Sequence, residues 1–201
     1  MKHACRGFLA AFLSVLLLTI AAGFRVALER SMALHMLLQM PMLLGAGVAC
    51  ACAVSCASNM QNASNKLQRG IIRLAGFRFW NMDEYGTVGL SFFLLLSAYW
   101  MIPKALDDVL LSPAVELLKF AAFFGAGLAL PGTLARANRV TQLFFLGNFA
   151  WMMAIVGMLY QDTTVRLCNA YLLDDQVIAG QGLVLLSIAI PALWFVRAAR
   201  T

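Results

Sequence analysis

Apolar runs of near-membrane length recur along the chain, separated by short polar or charged intervals, and no stretch alternates apolar with polar at period two. A helix needs roughly 20 mainly apolar residues to cross a bilayer. The runs predict six such spans, at 7–24, 32–57, 86–102, 114–131, 143–160 and 181–196. Lipid admits only helices and closed barrels, and the missing period-two pattern removes the barrel. The expected fold is therefore all-α, a polytopic transmembrane helical bundle forming a single membrane domain over 1–201. The first run also has the layout of a signal peptide, with Lys2 and Arg6 ahead of the apolar core and Ala21-Ala22-Gly23 behind it. Further spans follow at once, so an uncleaved anchor is expected.

Composition supports this reading. Of 201 residues, 62% are hydrophobic and 12% charged, whereas soluble domains carry about 25% charged residues. That argues against a soluble enzyme, a disordered chain or a nucleic-acid-binding module. The net charge of +6 is instead a topological signal. Lys2, Arg6, Lys66, Arg69, Arg73, Arg78, Arg136, Arg139, Arg197 and Arg200 fall on one side of the six-span layout. Arg25, Arg30, Lys104 and Arg166 fall on the other, together with Glu29, Asp107, Asp108, Asp162, Asp174 and Asp175. The positive-inside rule then puts both termini in the cytoplasm of a bacterial-type inner (plasma) membrane. The longest loop, 58–85, lies on the same side. Its alternation of Leu67, Ile71, Ile72, Phe77 and Trp80 with Lys66, Arg69, Arg73 and Arg78 reads as a basic amphipathic helix on the anionic leaflet.

Candidate chemistry concentrates in the second span. Met32, Met36 and Met40 recur at i, i+4 and i+8 and form one helix stripe, with His35 and Gln39 on the neighbouring stripe. Thioether sulfur suits Cu(I) and imidazole is compatible with copper. The same stripe also serves as flexible core packing, and His35 as a structural histidine bonded to a carbonyl. Pro41 is expected to kink the span below this group. Met101 and Met158 are expected near the same outer level, with Cys168, Asp174 and Asp175 in the last outer loop. Cys50, Cys52 and Cys56 crowd the inner end of the second span among Gly and Ala. They fit either a soft-metal or thiol site or close helix packing, and the composition favours packing. Glu116 and Lys119, at i, i+3 in the fourth span, are expected to pair with each other and are otherwise ion-path candidates. No phosphate-binding glycine loop, nucleophile elbow or zinc-binding His-Glu-x-x-His helix is present, so no enzymatic activity is expected.

Two stretches together resemble a known family. The run Ser31-Met32-Ala33-Leu34-His35-Met36-Leu37-Leu38 is similar to the His-Met-x-x-His-Met-Leu-Leu segment of the CtaG-type cytochrome c oxidase assembly factors, with Ser31 in place of the first His. Asp174-Asp175-Gln176-Val177-Ile178-Ala179-Gly180 resembles that family's Asp-Gln-x-x-(Ala/Gly)-Gly signature. The family consists of polytopic helical membrane proteins, usually with seven spans, associated with copper supply to haem–copper oxidases. By position the resemblance implies His35 and Met36 as copper-site candidates, with Asp175 and Gln176 as structural or metal-proximal outer-loop residues. Met32 and Met40 complete the candidate metal set. The leading expectation is thus a protein that binds or delivers copper at its outer face for a membrane oxidase. The alternatives are a non-catalytic accessory subunit of a larger membrane complex, with 45–57 and 125–129 as contact faces, and a small permease.

Overall fold

The computed structural model describes residues 2–60 and 84–199, with side chains from 7 to 56 and from 84 to 199. All the regular structure in these residues is helical. The helices are α1 (Lys2–Gly23), α2 (Arg25–Leu28), α3 (Met32–Leu34), α4 (Met40–Met60), α5 (Thr87–Trp100), α6 (Pro103–Leu111), α7 (Pro113–Arg136), α8 (Arg139–Asp162) and α9 (Leu173–Ala198). A π-helical turn, His35–Gln39, joins α3 to α4. The expected amphipathic helix in loop 58–85 falls mainly on residues 61–83, outside the described ones.

Four helical segments are long and apolar enough to cross a membrane: Met32–Cys56, Pro113–Arg136, Arg139–Asp162 and Leu173–Ala198. A fifth arises if α5 and α6, which meet at a 75° bend, are one broken span. The apolar part of α1, Gly7–Gly23, is shorter. The expected third span, 86–102, is thus only the first limb of a bent pair. Pro103 causes the break. It holds Ile102 extended at φ −77° and ψ 128° and then starts α6 from its first turn.

The layout follows from small residues placed where backbones meet. A Cβ on Gly47 would collide with the backbone of α7 at Phe124 and Leu128, and one on Gly127 with the Leu44 carbonyl of α4. A Cβ on Gly157 would lie 2.7 Å from the Gly180 carbonyl, which fixes the close crossing of α8 and α9. Part of the small-residue face expected to meet a partner protein is therefore used inside the chain. Gly7 packs on Cys56, so α1 runs along α4 at the cysteine-rich end. Gly86 adopts φ 69° at the start of α5, a left-handed conformation that glycine reaches without strain.

Pro41 acts otherwise than as a simple kink. Having no N–H, it cannot bond back to Leu37. The turn before it widens, and the Met40 N–H bonds to the His35 carbonyl, five residues back. Such π turns change which side chains share a face and are frequent at functional sites. Here the widened turn carries His35, Met36 and Gln39 into the core.

Candidate functional site

A buried polar cluster forms where the turn after α2 and the π turn meet the start of α7. Lys119, on the second turn of α7, is wholly buried. Its Nζ donates to Glu29 Oε1 at 2.7 Å and to Gln39 Oε1 at 2.8 Å, and lies 3.0 Å from His35 Nε2. An ammonium has three donors and no acceptor, so His35 Nε2 must accept. The other ring nitrogen, Nδ1, then carries the proton and donates to Tyr171 Oη at 2.7 Å. Gln39 Nε2 donates to Glu29 Oε1 at 3.2 Å and to the Ala21 carbonyl at 3.4 Å. The cluster thus ties together α1, the 25–31 turn, the π turn, α7 and the loop before α9. Every buried side-chain nitrogen and oxygen in it has a partner, as groups removed from water require.

The expected Glu116–Lys119 pair does not form. Glu116 receives two hydrogen bonds from Arg25 Nη1, at 2.7 and 3.0 Å, while Lys119 turns inward to Glu29. Both ion pairs join segments about 90 residues apart. A hollow of about 400 Å³ beside the Arg25–Glu116 pair is lined by Ala22, Pro113, Leu117 and Phe120.

Next to the polar cluster is an apolar chamber of about 170 Å³. Met36 and Met40 from the π turn and α4, Met101 from the bend after α5 and Met153 from α8 all line it, with Phe93, Trp100, Phe123 and Phe149. Of the sequence candidates, Met36 and Met40 therefore meet there and Met101 joins them. Met32 is fully buried without lining the chamber, and Met158 points outward with 47% exposure. Met153 carries no periodic signal in the sequence, since Met152, Met153 and Met158 on α8 share no i, i+4 spacing.

The residues expected in the last outer loop have other duties. Asp174, Asp175 and Gln176 belong to the first turn of α9, which starts at Leu173 and so extends the expected span outward. Asp175 Oδ1 accepts from Ser31 Oγ at 3.1 Å, tying α9 to the start of α3. Gln176 Oε1 accepts from the Leu167 N–H at 2.9 Å, and its Nε2 donates to the Tyr160 carbonyl at 3.1 Å. Neither lines the methionine chamber. The loop is pinned to the bend as well. Asp107 accepts from the backbone N–H groups of Asn169 and Ala170 at 2.8 and 3.1 Å, and Tyr160 Oη donates to the Met101 carbonyl at 2.6 Å. Burial and the nearby Asp107 carboxylate push the Cys168 thiol up to about 12. Burial likewise raises the Tyr171 phenol.

Among the described residues, no three His, Cys, Asp or Glu side chains converge as a metal-binding group. Both ring nitrogens of His35 are engaged. What remains for a soft ion is the set of thioethers. Comparison of the chain with protein-family models, curated proteins and solved structures finds no match in any of the three.

Proposed function

We propose that this protein is a six-span inner-membrane carrier, both termini cytoplasmic, that holds Cu(I) in the methionine chamber for delivery to a haem–copper oxidase or another copper-dependent membrane enzyme. One observation carries the reading: four thioethers from three separate segments of the chain, Met36 and Met40, Met101, and Met153, line a single apolar chamber. Helical spacing explains a stripe on one helix. It does not explain sulfur arriving from three. Thioethers are soft, neutral donors that suit Cu(I), and an apolar wall excludes the harder, strongly hydrated ions. The resemblance of 31–38 to the oxidase assembly factors supplies the proposed client. In this reading Met36 and Met40 are the ligands, while His35, Asp175 and Gln176 position the segments around them. The protein acts as a carrier without catalysis.

Cu(I) affinity of the detergent-solubilised protein tests the reading. Met36→Leu with Met40→Leu should weaken binding by roughly 100-fold or more, and His35→Ala should leave the thioether contacts in place. Equal affinity in the methionine variant contradicts the assignment.

A second reading, an accessory subunit, is favoured by α8. Val140, Phe144, Trp151, Ile155 and Leu159 form one exposed stripe along it, a surface suited to lipid or to a neighbouring membrane helix. Purification in mild detergent with a stoichiometric partner and no copper would favour it.

A further inference from the structure

Lys119 Nζ stands at the centre of three acceptors, a carboxylate oxygen, an amide oxygen and an imidazole nitrogen, at 2.7, 2.8 and 3.0 Å. That is the donor set of a divalent-ion site, and the ammonium stands where the ion would. We propose that Glu29, His35 and Gln39 form a site for a divalent ion of borderline softness, and that Lys119 is the tethered cation that fills it and keeps such ions out. The inference concerns different atoms from the methionine chamber and stands whether or not copper binds there.

The donors are held as ligands are held. His35 Nδ1 donates to Tyr171 Oη, which fixes the ring and aims Nε2 at the centre. Metal-binding histidines are oriented through their second nitrogen in the same way. Gln39 Nε2 is anchored on Glu29 and on the Ala21 carbonyl, so its Oε1 points inward. The π turn sets His35 and Gln39 side by side toward α7. Around an ammonium the donors stand 2.7 to 3.0 Å away. A Zn–N or Zn–O bond is about 2.0–2.2 Å, so each donor need close in by less than about 1 Å. The site is not sealed from the surface: Glu29 keeps 11% of its side chain exposed, and Phe120, whose ring centroid is 5.3 Å from Lys119 Nζ, lines the hollow beside Arg25 and Glu116.

The physical consequence is selectivity. An internal cation that makes three hydrogen bonds must be displaced before any ion from solution can bind, and displacement breaks a buried ion pair. A divalent ion therefore finds His35 closed, although His35 and Glu29 both reach the same point, at 3.0 and 2.7 Å from Lys119 Nζ.

Co2+ is the probe, because its visible absorption reports imidazole and carboxylate coordination. The full chain in detergent should show no such spectrum in the wild type. Lys119→Met should bind one equivalent at least about tenfold more tightly than wild type, and adding His35→Ala should abolish the gain. Lys119→Arg keeps the positive charge and should stay closed. A folded Lys119→Met that binds Co2+ no better than wild type overturns the proposal, as does a gain that survives His35→Ala. Because Lys119→Met leaves Glu29 unpaired, thermal unfolding with and without Zn2+ provides a second readout. Zn2+ should raise the midpoint of Lys119→Met and not that of Lys119→Met with His35→Ala, and the absence of any rise contradicts the proposal.

Discussion

Lys119 Nζ donates to Glu29 Oε1 across 2.7 Å, joining α7 to the turn after α2, with the lysine wholly buried and the glutamate only 11% exposed. Removing one partner of such a pair strands the other charge and costs about 3–5 kcal/mol. Glu29→Gln and Lys119→Ala should each lower stability in detergent by that order, and the double variant should lose less than their sum. A double-mutant cycle of unfolding free energies checks this; strict additivity would mean that the two groups are uncoupled.

Tyr171 holds the far nitrogen of His35 at 2.7 Å. Tyr171→Phe leaves a buried imidazole N–H without an acceptor, at a cost of about 1–3 kcal/mol. The expected result is a lower unfolding midpoint, while nitrogen NMR of the wild type shows the proton of His35 on Nδ1. A wild-type signal for the Nε2–H tautomer would contradict the hydrogen-bond assignment.

The glycines separate contact from filler. Gly47→Ala or Gly127→Ala forces α4 and α7 apart and should destabilise by about 1–3 kcal/mol, the usual cost of overpacking. At Gly125 and Gly147 an added Cβ meets nothing within 4 Å. Alanine there should be neutral or stabilise by up to about 1 kcal/mol through helix propensity. Chemical unfolding of the four single variants ranks them, and equal losses at all four would refute the close-packing account.

Cys168 gives a pH-dependent signature. Its thiol is pushed up to about 12 from an ordinary 9.0 by burial first and by Asp107 second. The folded state therefore favours the protonated form. The stability this contributes is present below pH 9 and is lost as pH rises toward 12. Maleimide should accordingly leave the buried Cys168 untouched in folded protein at neutral pH and label it once the protein is unfolded. Mass spectrometry of the labelled peptides reads the outcome, and rapid Cys168 labelling would contradict its burial.

Much of the architecture was legible because lipid imposes it: long apolar runs become helices, and the second, fourth, fifth and sixth expected spans coincide with the four long membrane-compatible segments. The third expected span, 86–102, runs into a 75° bend that hydropathy does not register, although Pro103 marks where it falls. His35 and Gln39 stood out as polar groups in an apolar helix. Their partners did not. Glu29 looked like an outer topological charge, and its pairing with a lysine 90 residues away leaves no local periodicity. Lys119 was visible, but i, i+3 spacing pointed to Glu116, and only the three-dimensional packing shows that Arg25 claims that carboxylate. Asp175, Gln176 and Gly180 were legible as a signature whose structural work, bonding Ser31, bracing the 163–172 loop and bringing α9 onto α8, only the fold reveals.

The central claim, that Cu(I) is held by methionine sulfur, is tested most directly by X-ray absorption at the copper edge on the protein loaded with one equivalent of Cu(I). The account predicts a first shell of sulfur alone at about 2.3 Å, the usual sulfur bond length for a first-row ion of this size, and its loss in Met36→Leu with Met40→Leu. A first shell containing histidine nitrogen, or copper that washes out of the wild type on desalting, would contradict it.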